Sequence, residues 1–444
     1  MSLTHDTLAI IVVLVAVGSL IGLIAWLKVQ PLLAFVIASL LAALMLGMPL
    51  DKITHSIESG IGSMVGSLAV LLALGAIFGK IIADSGAARK IARVLITGFG
   101  DRRITLALCL TGFIVGIPLF YNVGFVLLVP LIFSVARQSG GGLVYLALPV
   151  MAGLSIAHGF LPPHPSPAAI VPMFGADMGL TLIYGLIVGV PTALIAGPVF
   201  ALSARGIVSN PPQLFVVEET AEDALPSTST SFLTALLPVI LLTASTGLGY
   251  VQGLSPETKS LIGFLGNPMI VMLISVMVAL VTLGIGQRQP LSVLMQGSSL
   301  ALREIAPILL IIAGAGALKQ IFIDGGLNEQ LGLLLKNLPI PPLVLGWLIA
   351  GVIRLSLGSA TVAGLTAAGL VAPLVKLSGV NPNLMVLVIG AGSLMFSHVN
   401  DSGFWMFKEY FGLSVKDTLR TWTLMEGLVG IFGLVFTLLL SLCV

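Results

Sequence analysis

The feature that most constrains this chain is a series of apolar runs of about 17 to 26 residues, each long enough to cross a hydrocarbon core of about 30 Å. Leu8–Leu27, Pro31–Met48, Met178–Ser203, Ser231–Tyr250 and Thr421–Val444 are the clearest. Of the 444 residues, 57% are hydrophobic and 9% charged, against roughly 25% charged in an average soluble domain. So few charges could not cover the surface of a water-soluble fold of this size. The fold class expected is therefore an all-α polytopic membrane protein. The first run is longer than a signal-peptide core, has no basic stretch before it and is followed by Lys28 and a second span, so it reads as a retained helix.

A net charge of +2 offers no basic patch for nucleic acid. Cys109 and Cys443 both lie in apolar sequence, which argues against a disulfide framework or a cysteine metal site. The partners expected are a lipid bilayer and a small solute.

One polar, Pro-rich, acidic segment interrupts the pattern at 205–231, and it divides the chain into a first transmembrane repeat (1–204) and a second (232–444). LGAIFGKIIADSG, ending at Gly86, matches AGALKQIFIDGG, ending at Gly326; SIAHGF around His158 matches MFSHVN around His398. Asp84 and Asp324 stand 240 residues apart, as do His158 and His398, so two independent anchors give one offset. Internal duplication of this kind marks many transporter folds. The loop after Asp84 carries Arg89, Lys90, Arg93, Arg102 and Arg103, whereas its counterpart after Asp324 carries Lys336. The positive-inside rule places the first in the cytoplasm and the second outside, which predicts inverted repeats with the 205–231 linker in the cytoplasm.

Inversion requires an odd number of crossings per half. In the first half, spans are expected near 8–27, 31–48, 65–83, 143–158 and 178–203. Between them Ile104–Phe133 is split by IPLFYNVG into two short arms, and Leu343–Leu374 is split by LSLGSATVAG. Each is expected to be a re-entrant hairpin, tolerated only where its backbone is buried in protein or lines a cavity. On this count both termini are periplasmic. By analogy of architecture alone, such repeats suggest a homodimer and an elevator-like motion.

Four breaks in apolar sequence are the candidate site: GIPLFYNVGF (116–125), HGFLPPHPSP (158–167), RLSLGSATVAG (354–364) and SHVNDSGF (397–404). Broken helices present N–H groups to anions and free carbonyls to cations. Arg354 lies well inside an apolar arm, where a charge costs about 2.5–3.5 kcal/mol on insertion scales. Beside Gly358, Ser359 and Thr361 its guanidinium would suit a carboxylate flanked by hydroxyls; pairing with Asp401 or Glu304 is the structural alternative. Tyr121, Asn122 and Gly124 at the first tip, and Asn400 at the last break, are candidate contacts for polyol hydroxyls, or simply satisfy their turns. His158, His398 and Asp401 could each carry a proton, or cap a helix end. Pro162, Pro163, His164 and Ser402 mark helix breaks with a possible gating role, His164 facing a vestibule. Glu426 is expected to pack inside the bundle and Lys80 to lie at the cytoplasmic interface, both outside the core site.

AHGFLPPHPSPAAI, LGSATVAG and SHVNDSGFWMFKEYFGLS, together with MPLDKI and ALGAIFGKIIADSGAA, resemble the signature segments of the gluconate permease family, which also contains idonate and D-serine permeases. The resemblance runs along nearly the whole chain, and GFLPPHP with SHVND is closer to the gluconate and idonate branch. It implies a multi-pass permease of the bacterial inner membrane that imports a gluconate-like sugar acid by proton symport, without a cofactor. One departure stands out. Many members carry Glu where this chain has Asn122, which cannot titrate; if that Glu takes part in coupling elsewhere, the proton travels here by Asp401 or a histidine, or the coupling differs. Alternatives of other kinds are Na⁺-coupled uptake of another small carboxylate, a passive channel, and an intramembrane metalloenzyme using His158, His164, His398 and Asp401.

Overall fold

A computed structural model describes residues 5–209, 225–327, 333 and 335–444, and all regular structure among them is helical. The first half runs α1 (His5–Ile21), α2 (Pro31–Met45), α3 (Leu50–Asp84), α4 (Ala87–Phe99), α5 (Ile104–Gly116), α6 (Tyr121–Ser139), α7 (Leu143–Phe160), α8 (Pro165–Phe174) and α9 (Met178–Leu194). A π turn and a short 3₁₀ turn carry α9 on to Ala204. The second half runs α10 (Thr228–Gly249), α11 (Pro256–Leu265), α12 (Pro268–Ala279), α13 (Leu291–Asp324), α14 (Pro342–Leu357), α15 (Ala360–Ser378), α16 (Pro382–Leu394), α17 (Ser402–Tyr410) and α18 (Val415–Leu440). Most of the polar 205–231 segment lies outside the described residues.

Local chemistry sets the boundaries. Proline stands in the first turn of α2, α8, α11, α12, α14 and α16, where its missing N–H costs nothing. Gln30, Asp177, Ser227, Ser359, Asn381 and Asp401 cap helix starts with side-chain acceptors. Gly140, Gly175, Gly358 and Gly379 end helices in the left-handed region.

Among the described residues nine helices are long and apolar enough to cross a membrane, counting α7 and α8 as one broken span. The order of elements repeats: a long helix ending at Asp84 or Asp324, a two-armed hairpin (α5–α6, α14–α15), a broken helix (α7–α8, α16–α17) and a closing span (α9, α18).

Two expectations are corrected. The span expected at 65–83 begins at Leu50, giving α3 35 residues and α13 34, about 50 Å each and well beyond a bilayer core. Lys52, His55 and Glu58 ride the outer face of α3, while Ile53, Ser56, Gly60 and Met64 face inward at helical spacing. The second hairpin arms, α6 and α15, run past the expected limits to Ser139 and Ser378, absorbing Pro130 and Pro373. Both arms are long enough to cross, unlike α5 and α14.

Glycine lets the two halves come into backbone contact. A Cβ on Gly60 would collide with the carbonyl oxygen of Gly316, and one on Gly316 with that of Gly60, so α3 and α13 touch backbone to backbone. Burial locates the centre of the molecule. The α7–α8 segment is 83% buried along its most apolar stretch and α15 78%, against 22% for α10. The broken elements form the core, and α10 faces outward.

Candidate functional site

Two helix ends of opposite polarity bring Arg354 and Asp401 together. Arg354 lies in the last turn of α14, where the helix dipole favours a cation; Asp401 is the N-cap of α17, where it favours an anion. Arg354 Nη2 donates to Asp401 Oδ2, and the arginine is 3% exposed. Asp401 Oδ1 accepts from the Gly403 N–H at 2.9 Å, and Ser397 Oγ donates to Oδ2. Ser397 is itself held: its Oγ accepts from Trp422 Nε1 at 2.8 Å, and its carbonyl from Thr423 Oγ1 at 2.5 Å. The carboxylate is thus fully engaged and the guanidinium only partly, since Arg354 Nε and Nη1 are buried without a partner.

The first hairpin joins this pair through aromatic edges. Tyr121 opens α6; its ring centroid lies 6.0 Å from Trp422 and 6.1 Å from His158 at the end of α7. His158 meets His164 edge-on at 5.4 Å. Beneath Tyr121, the Ser155 hydroxyl of α7 donates to Glu426 Oε1 on α18. Glu426 is 2% exposed, its Oε2 has no partner, and Arg354 and Asp401 both act on it electrostatically. His158 Nδ1 and His164 Nδ1 are likewise buried and unpartnered. All four sequence breaks therefore meet in one region, and the atoms left unpaired there are those of Arg354, Glu426, His158 and His164, together with the Ser166 hydroxyl.

The remaining predicted residues divide. Each break clasps the first arm of a hairpin: His164 Nε2 hydrogen-bonds the Gly116 carbonyl at 2.7 Å, while His398 Nε2 and Asn400 Nδ2 bond the Leu355 carbonyl at 3.0 and 2.8 Å. His398 and Asn400 thus hold a helix end. Gly358, at φ +72°, lies so close to Asn400 that any side chain would strike its carbonyl. Ser359 caps α15, and Thr361 is half-buried beside it. Gly124 packs on Leu154, Asn122 is exposed, and Ser402 is exposed at the start of α17. Pro162 is buried, whereas Pro163 and His164 border a small, partly open cleft also lined by Phe78, Pro118, Phe120 and Met272.

Sequence reasoning does not single out Ser155, Ser397, Trp422 and Thr423, and it sets Glu426 outside the site, whereas the structure brings Glu426 into it. The signal available for Glu426 was a lone acid within the last apolar run. His398 bonds away from His158 and His164, and among the described residues no group of three or more His, Cys, Asp or Glu side chains could hold a metal ion.

Discontinuous helices converging on a buried, partly unsatisfied charged cluster define a membrane transporter of the broken-helix kind. The comparisons with known proteins agree. The fold matches the YdaH transporter of Alcanivorax borkumensis with a TM-score of 0.62, 18% identity and 89% coverage of both chains. It matches Neisseria gonorrhoeae MtrF, described among antimetabolite efflux pumps, with a TM-score of 0.63, 15% identity and coverage of 87% and 83%. At those identities the likeness is one of fold. In sequence, residues 8–443 match the GntP family permease model. A gluconate permease of Bacillus subtilis is 46% identical over 84% of this chain and 85% of its own. One from Pseudomonas aeruginosa is 43% identical over 99% of both, and the Gnt-II system L-idonate transporter of Escherichia coli is 42% identical over 83% and 84%. The chain belongs to the GntP family of permeases. It is a multi-pass protein of the bacterial inner membrane, a permease and not an enzyme.

Proposed function

We propose that this permease imports gluconate or a closely related sugar acid by proton symport, with Arg354 as the anchor for the substrate carboxylate. The observation that carries the reading is the half-used guanidinium. A buried arginine with two unpartnered guanidinium nitrogens is costly unless a second anion completes it, and a carboxylate fits that fork in a bidentate way. Around it, the Tyr121 ring and hydroxyl, Ser155 and the free His158 Nδ1 offer a face and polar groups for a polyhydroxylated chain. The named relatives include both gluconate and idonate transporters, which supports the sugar-acid class.

The test is uptake of labelled gluconate into proteoliposomes under an inward proton gradient, without Na⁺, with idonate, D-serine and citrate as competitors. Accumulation inhibited by idonate is expected. Uptake that requires Na⁺ or ignores the proton gradient would overturn the coupling, and D-serine as the preferred substrate would overturn the substrate. Arg354→Lys keeps the charge but loses the fork; it is expected to weaken apparent affinity by about tenfold or more, one fork hydrogen bond to a charged group being worth about 1.5–3 kcal/mol.

A further inference from the structure

Glu426 is an acid that the Arg354–Asp401 pair leaves over. It stands about halfway along α18, a helix long and apolar enough to span a membrane, and an ionised side chain inside such a span is expensive. Its protein hydrogen bond is with Ser155 at Oε1, and Oε2 is buried and unpartnered. The charged or titratable groups facing it are Arg354 from α14, Asp401 from the α16–α17 break and Tyr121 from the start of α6, with His158 of α7 against the far edge of Tyr121. Of the other helices packed on α18, α16 contains no titratable residue and α9 only Tyr184.

These neighbours give the two protonation states of Glu426 opposite effects on an anion held by Arg354. An ionised Glu426 competes for the same guanidinium and repels the substrate carboxylate through a low-dielectric interior. A protonated Glu426 removes that repulsion, and the proton on Oε2 has no protein acceptor, so it is free for an oxygen of the ligand. Binding of the anion and binding of the proton then favour each other, which is what coupling requires.

We infer that Glu426 carries the coupled proton and donates it as a hydrogen bond to the bound sugar acid, so that the anion is held only while Glu426 is protonated. This rests on the proton-symport reading above and assigns the step to one atom, Glu426 Oε2. Asp401, already engaged by three donors, fixes Arg354. After release to the cytoplasm Glu426 loses its proton, and the anionic carboxylate takes the Arg354 N–H groups that the substrate vacates.

The experiment compares wild type with Glu426→Gln, whose amide imitates the protonated acid. Each is measured for proton-driven gluconate accumulation and for gluconate–gluconate exchange at equal pH on both sides. If wild type shows no proton-driven accumulation, the symport reading itself fails. If wild type accumulates, Glu426→Gln is expected to drop accumulation to background, and the exchange it retains to lose its pH dependence. Proton-driven accumulation by Glu426→Gln would overturn the inference. Should that variant do neither, Glu426→Asp decides: accumulation with a displaced pH profile supports the assignment, and an unchanged profile or no uptake overturns it.

Discussion

At the residue scale, the site rests on a chain of hydrogen bonds from Trp422 and Thr423 through Ser397 to Asp401 and then Arg354. Ser397→Ala removes one donor from the carboxylate and leaves Trp422 Nε1 unpaired in the core. The loss expected is about 1–3 kcal/mol, read as a lower midpoint of thermal unfolding in detergent. A variant as stable as wild type would mean that Ser397 does not hold Asp401. Arg354 and Asp401 were legible in the sequence because a charge within apolar sequence is conspicuous. That they pair is one option among several in the sequence, since the bond joins positions 47 apart. Glu426 was visible as an acid, but its partner Ser155 lies 271 positions away and looks like any small residue of a packed helix. No local pattern encodes such a contact.

Among the elements, the breaks were the most readable part of the fold. Proline, glycine and polar residues inside apolar runs forced helix ends at 117–120, 161–164, 358–359 and 395–401, and helices end there. Helix lengths were less readable. Lys52 and Glu58 look like loop charges until a partner helix shows which face they leave exposed. The Gly60–Gly316 crossing gives an element-level prediction. Gly316→Leu would force α3 and α13 apart and is expected to cost at least about 1–3 kcal/mol as overpacking. By contrast, Gly62→Ala, with open space at its Cβ, should be neutral or raise helix stability by up to about 1 kcal/mol. Thermal unfolding of the two variants checks the contrast. The clasps differ too. The Leu355 carbonyl has two side-chain donors, and the Gly116 carbonyl has His164. His164→Ala is therefore expected to lower stability and uptake more than His398→Ala; equal effects would mean that the clasp is not what His164 provides.

Across the whole molecule, the repeated order of long helix, hairpin, broken helix and closing span carries both halves of the chain to one buried cluster. That cluster holds one cation, Arg354, and two acids, Asp401 and Glu426, and the balance has an electrical consequence. With sugar-acid anion bound and Glu426 protonated, the site holds one positive and two negative charges. With the site empty and Glu426 ionised, it holds the same. Under the proton symport proposed above, the loaded and returning forms carry equal charge across the bilayer, so a full cycle moves none. A charge crossing the membrane would gain about 2.3 kcal/mol per 100 mV, and this permease would forgo that contribution. Clamping the voltage of proteoliposomes with potassium and valinomycin is expected to leave the steady accumulation of substrate unchanged, while collapsing the pH difference abolishes it. A cell using such a carrier draws on the chemical half of its proton-motive force and can keep importing acid anions when its membrane is depolarised.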